Sequence, residues 1–136
     1  AAQKSVHAVT DVTGFGLLGH THEMAVGAGC AAMVDYSAVP LIDAEVLGEC
    51  IAAGDIPGGM RRNWDSYGAS IRGIEGEQAH RVRALLCDPQ TAGGLLISVS
   101  PAGLTDITRI LLEHDVIAAP VGRLVNGAPG FIDVIA

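Results

Sequence analysis

Aromatic side chains are scarce in this sequence: one Trp, two Tyr and two Phe make up 4% of 136 residues. The 49% hydrophobic fraction therefore rests on Ala, Val, Ile and Leu. Long apolar runs are missing too. No uninterrupted stretch approaches the roughly 20 residues that cross a bilayer, which excludes a membrane-spanning helix. The first residues, Ala1-Ala-Gln-Lys-Ser-Val6, lack the apolar core and cleavage region of a secretory signal, so the cytoplasm is the expected compartment. Basic charge is in deficit, with 8 Lys and Arg against 15 Asp and Glu and a net charge of −7. A nucleic-acid face would concentrate cations to neutralise phosphates, so that partner class is excluded. Paired cysteines are absent. Cys30, Cys50 and Cys87 are scattered among small apolar neighbours, which predicts reduced, packed thiols rather than a disulfide framework. Gly-x-Ser-x-Gly, His-Glu-x-x-His and P-loop lysine motifs are absent as well. His20 and His22 stand about 200° apart around a helix and cannot grip one metal together.

What is there fits one domain with a single core. Val6–Val12 alternates like a strand, with Val6, Ala8, Thr10 and Val12 on one face. From Thr13 the period changes: Leu17, Leu18, Thr21, Met24, Ala25 and Ala28 recur at helical spacing, opposite Gly16, His20, Glu23 and Gly27. Thr13 is the expected N-cap of that helix and Gly29 its stop. A strand over Ala31–Tyr36 follows. Asp43 then caps a helix with Val46, Leu47, Cys50 and Ile51 on its apolar face, ending near Gly54. Asp55–Gly76, with glycines scattered through it, reads as an irregular stretch. Gln78–Leu86 forms a short helix, and Gly94–Val99 a buried strand. Ser100 and Pro101 open a helix whose core stripe is Leu104, Ile107, Ile110, Leu111 and Leu112. Strands over Pro120–Val125 and Phe131–Ile135 flank the turn Asn126–Gly130. The expected class is α+β, a mixed α/β domain with a mixed β-sheet covered by helices.

Three segments can carry chemistry. In Thr10-Asp-Val-Thr-Gly-Phe-Gly16 a strand runs into a helix start, whose free N–H groups and glycines admit a phosphate. Asp11 stands just before that turn, placed to offer one carboxylate to Mg²⁺ or to serve simply as a solvated turn residue. The same Gly-x-Gly also suits tight packing of a helix on a strand. Pro57-Gly-Gly-Met-Arg-Arg-Asn-Trp64 reads as a loop that grips an anion through Arg61 and Arg62, or as a surface loop anchored by Trp64. In Asp88-Pro-Gln-Thr-Ala-Gly-Gly94, Gln90 and Thr91 face a ligand, or the segment is a plain helix-to-strand connection.

The runs His7–His20, Pro57–Asn63 and Asp88–Gly94, in this order, resemble the carboxy-terminal domain of the selenide, water dikinase (selenophosphate synthetase) family. The likeness covers essentially the whole chain and departs at Met60, where the family usually has Thr. It implies membership of the aminoimidazole ribonucleotide synthetase superfamily, with ATP bound in a cleft between an amino-terminal and a carboxy-terminal domain. It further implies the conversion of ATP, selenide and water to selenophosphate, AMP and phosphate with Mg²⁺. Asp11 is then a magnesium ligand, and Thr13, Gly14, Phe15 and Gly16 line the nucleotide. The reactive Cys or selenocysteine, the Lys and the other carboxylates belong to an amino-terminal partner domain, so this chain alone is expected to be inactive. The complete enzyme is expected to be a homodimer. A stand-alone binding module of the same fold, and a sister ATP-dependent enzyme of the superfamily, are the other readings.

Overall fold

The computed structural model describes residues 2–135. After a 3-10 turn over Ala2–Ser5 come β1 (Val6–Asp11), α1 (Gly16–Gly27), β2 (Ala31–Asp35), α2 (Ala44–Ala53), α3 (Gly58–Tyr67) and β3 (Ile71–Arg72). They are followed by α4 (Ala79–Leu86), β4 (Leu95–Val99), α5 (Leu104–Glu113), β5 (Gly122–Val125) and β6 (Ile132–Ile135). The strands form two sheets where one was expected. A four-stranded sheet has the order β3-β6-β2-β5, parallel except at β2-β5, and β1 pairs β4 separately in an antiparallel ribbon. The α+β class with a mixed sheet stands.

Local chemistry explains the well-defined ends. The Asp43 carboxylate accepts from the N–H groups of Glu45 (3.1 Å) and Val46 (3.0 Å), an N-cap that starts α2. α1 closes in a Schellman motif: Gly29 N–H donates to Val26 and Cys30 N–H to Ala25, with Gly29 at φ +66. Thr13, in contrast, is not the N-cap. The helix begins at Gly16, no side chain caps it, and the Thr13 hydroxyl lies against His20 instead.

The face of α1 opposite its apolar stripe is divided in burial. Glu23 and Gly27 are exposed, but Gly16 and His20 are buried beside Leu18, Gly19, Thr21 and Ala25. The cause is sandwiching: α1 meets β2 and β6 on one side and α3 and α4 on the other. Its small residues let both neighbours approach. Leu18, Val34, Tyr67, Leu86, Cys87 and Ile132 form the centre of the core between these elements.

Three further expectations are corrected. Asp55–Gly76 is not irregular, since it contains the ten-residue helix α3 and the short strand β3. Residues Met60, Asn63, Trp64 and Tyr67 follow helical spacing, and Asn63 and Tyr67 are buried. Gly94–Val99 is not a buried strand: Leu95 is 66% exposed and the other residues of β4 only half-buried. The α5 stripe is not core either, with none of its residues buried and Leu112 58% exposed. β4 belongs to a two-stranded ribbon, which has too little breadth to bury two faces, and α5 packs on the short 3-10 turns Ala2–Ser5 and Pro101–Gly103.

The cysteines are free: Cys87 is buried and Cys30 and Cys50 are half-buried. Burial pushes the Cys87 thiol up, which removes the reactive thiolate at neutral pH. A thiol reagent is expected to label Cys30 and Cys50 first and Cys87 only at the rate of unfolding. Equally fast labelling of all three would contradict this packing.

Candidate functional site

The connection from β1 to α1 is held by both other motif segments. Val12 N–H donates to the Gly94 carbonyl (2.8 Å) and Gly93 N–H to the Val12 carbonyl (3.1 Å), which extends the β1-β4 pairing past the strand ends. Gln90 N–H donates to the Thr13 carbonyl at 3.0 Å. From α3, the buried Asn63 amide donates to the carbonyls of Gly14 (2.8 Å) and Cys87 (2.9 Å). Both partners are acceptors, so the orientation of that amide is fixed. Tyr67 O–H, one turn on, donates to the Phe15 carbonyl at 2.7 Å. Burial pushes the Tyr67 phenol far above its ordinary range, so the donor proton stays in place at neutral pH.

Two glycines make the approach possible. Gly16 has φ +71, and a Cβ there would lie 2.8 Å from the backbone carbon of Cys87 and 2.9 Å from the Asp88 and Leu86 oxygens. Gly59 meets the Pro89 ring, where a Cβ would come within 2.7 Å. Tight packing is therefore real at Gly16, but against the backbone end of α4 and not of a helix on a strand. Gly14 differs, because a Cβ there would meet nothing within 4 Å.

These contacts tie down the carbonyls of four successive residues, Val12, Thr13, Gly14 and Phe15. Gly16 N–H is spent on Thr13, at 3.0 Å. The N–H groups of Gly14, Phe15, Leu17 and Leu18 have no acceptor among the described residues. Acceptors turned inward and donors left over are what an anion requires of a backbone.

Buried His20 adds a further tie. Its Nε2 accepts from Thr13 N–H at 3.0 Å, so the ring is the tautomer with its proton on Nδ1. The Glu23 carboxylate lies 3.4 Å from Nδ1, but without hydrogen-bond alignment. His22 acts elsewhere, with Nδ1 at 2.8 Å from the Gly130 carbonyl.

Asp11 ends β1, exposed on the face opposite half-buried Thr10 and paired in register with Leu95. Its carboxylate enters no salt bridge or side-chain hydrogen bond among the described residues. Phe15, four residues further on, is 52% exposed. No group of three or more His, Cys, Asp or Glu capable of holding a metal occurs among the described residues. The donor set thus fits Mg²⁺ only as one carboxylate of a shared site, in keeping with an ion that takes few protein ligands beside phosphate oxygens. Arg61, Arg62 and Thr91 are exposed, and Gln90 Nε2 donates to Asp88, whose carboxyl burial pushes up. Met60, at the family's usual Thr position, packs against the core.

The sequence marks Asp11, the 13–16 turn, Asn63 and Gln90 as parts of three separate segments, which the fold brings together, and gives no role to His20 or Tyr67. Tyr67 was recoverable: it lies four residues after Asn63, on the same helix face, once α3 is read as a helix.

The model of the AIR synthase related protein, C-terminal domain, matches residues 1–135. The chain is 45% identical to selenide, water dikinase of Pseudomonas putida over 96% of its own length and 36% of that protein's. For the enzyme of Yersinia pseudotuberculosis the identity is 46%, over 89% of this chain and 33% of the relative. For that of Bordetella bronchiseptica it is 43%, over 98% and 37%. The chain therefore spans about a third of the length of the curated relatives it matches. Among solved structures, thiamine-monophosphate kinase from Stenotrophomonas maltophilia superposes with a TM-score of 0.59 at 18% identity, covering 97% of this chain and 32% of the other, a likeness of fold alone. By motif order, fold and the extent of the match, the chain belongs to the AIR synthase related C-terminal domain family and is homologous to part of the selenide, water dikinases.

Proposed function

We propose that this domain supplies one wall of the Mg²⁺-ATP cleft of a selenide, water dikinase, which makes selenophosphate, AMP and phosphate from ATP, selenide and water. The observation that carries the reading is the convergence of all three motif segments on the 12–16 connection, where the carbonyls of residues 12–15 are tied inward and the N–H groups of Gly14 and Phe15 have no acceptor among the described residues. A polyphosphate is the ligand that such a surplus of donors suits.

Each residue has a limited part. Asp11 offers a carboxylate oxygen to the nucleotide-bound cation, and Thr13, Gly14, Phe15 and Gly16 form the surface that the phosphates approach. Mg²⁺, when bound, neutralises phosphate charge and orients the transferring group. One carboxylate cannot hold such a cation by itself. The remaining ligands, the nucleophile-bearing groups and the dimer contacts come from an amino-terminal domain, and the enzyme works in the cytoplasm. The domain by itself is inactive and binds ATP weakly at best.

The test is a selenide-dependent AMP assay on this chain with and without the amino-terminal two-thirds of the enzyme. AMP is expected only from the combined halves, and calorimetry on the domain alone is expected to show no micromolar ATP site. Selenide-dependent AMP from the domain alone, or none from the folded whole, would overturn the reading.

A further inference from the structure

We propose that Asn63 and Tyr67 are positioning residues for the phosphate-facing turn, fixing which way its peptide units point; this rests on the nucleotide reading above. In a trans peptide the C=O of one residue and the N–H of the next point in opposite directions. Pinning one end therefore aims the other. Asn63 Nδ2 holds the Gly14 carbonyl at 2.8 Å, which turns the Phe15 N–H the opposite way. Gln90 N–H does the same for the Thr13 carbonyl and hence for the Gly14 N–H. Tyr67 O–H holds the Phe15 carbonyl at 2.7 Å, which keeps the last carbonyl before the helix from facing the ligand.

The Gly14-Phe15 peptide is where a pin matters most. Gly14 has no Cβ and open space around it, so on its side rotation of that peptide meets no steric barrier, and the local opposition is the positive φ that a flip would impose on Phe15, now at −87. A flipped unit would present carbonyl lone pairs to a phosphate in place of a donor. Asn63 opposes the flip from a rigid base: it is 7% exposed on a helix, and its second hydrogen bond, to Cys87, fixes the amide itself. If the unpinned turn spends only a fraction of its time in the competent state, apparent affinity falls by that fraction.

The experiment compares wild type, Asn63→Ser, Tyr67→Phe and, as a control on the exposed face of α3, Asp65→Asn in the complete enzyme. ATP KM and kcat are measured, together with hydrogen exchange of the peptide spanning residues 13–18 with and without Mg²⁺-ATP. Asn63→Ser is expected to raise the ATP KM on the order of tenfold, with kcat changed less, and to lose the ATP-dependent slowing of exchange. Tyr67→Phe, which keeps the ring and its packing, is expected to move both readouts the same way by a smaller factor. It also keeps the test decisive should Asn63→Ser fold poorly. An unchanged KM and wild-type exchange in Tyr67→Phe and in any folded Asn63→Ser would overturn the positioning role alone. If ATP slows exchange of this segment in no protein, wild type included, the nucleotide reading falls and this inference with it.

Discussion

Asp11→Asn is expected to abolish Mg²⁺-dependent ATP turnover in the complete enzyme while leaving unfolding of the domain cooperative. The substitution keeps size and shape and removes one negative charge. Asp11 is exposed at the end of β1 with no intramolecular partner among the described residues, so no native contact is lost with the charge. Surface changes of that kind stay within about 0.5 kcal/mol. On the proposed reading the cation, in contrast, would lose a formal ligand at the moment when phosphate charge must be stabilised. A metal contact of this kind is worth several kcal/mol in the transition state, so the expected loss in kcat/KM is on the order of a thousandfold. Measuring turnover and thermal unfolding on the same preparation separates the two effects. Wild-type turnover in a folded Asp11→Asn enzyme removes Asp11 from the site.

The elements legible in the sequence are those whose ends carry their own chemistry. Asp43 caps α2, Gly29 stops α1, and β1 alternates as its residues require, because each depends on neighbours within a few positions. α3 was illegible for a local reason as well. Pro57 and the glycine pair 58–59 read as loop, and they conceal that Met60, Asn63, Trp64 and Tyr67 follow one helical face. The errors of burial have a different origin. An apolar period at Leu95 or along α5 reports that a face is apolar, not that anything in this chain covers it. The site was legible as three separate motifs, but its architecture was not. That Asn63 spans Gly14 and Cys87, or that His20 takes the Thr13 N–H, follows from contacts between elements that no spacing encodes.

Gly16 and Gly14, two positions apart in the same motif, are expected to respond to alanine in opposite ways. At Gly16 the added Cβ would meet backbone atoms of Leu86, Cys87 and Asp88 at 2.8–2.9 Å, at a left-handed φ of +71. Neither problem has a cheap escape: the neighbours are the backbone end of α4, and the conformation itself is strained for an L residue. The two costs together are on the order of 3 kcal/mol, about 10 °C in Tm for a domain of this size. At Gly14 the Cβ would meet nothing within 4 Å, and the φ is not in the left-handed region. Gly14→Ala is therefore expected to leave Tm within about 2 °C, since removing backbone freedom from the unfolded chain offsets any small strain. Yet on the proposed reading the open space beside Gly14 is where a phosphate would approach the free N–H groups of the turn. In the complete enzyme the same methyl group is expected to raise the ATP KM at least tenfold, because a donor held one carbon too far from the anion loses its hydrogen bond. Melting curves and ATP kinetics on the two variants check both halves. A Gly14→Ala enzyme with normal ATP kinetics would mean that the turn is a packing device and nothing more, with Gly16 as its only constrained residue.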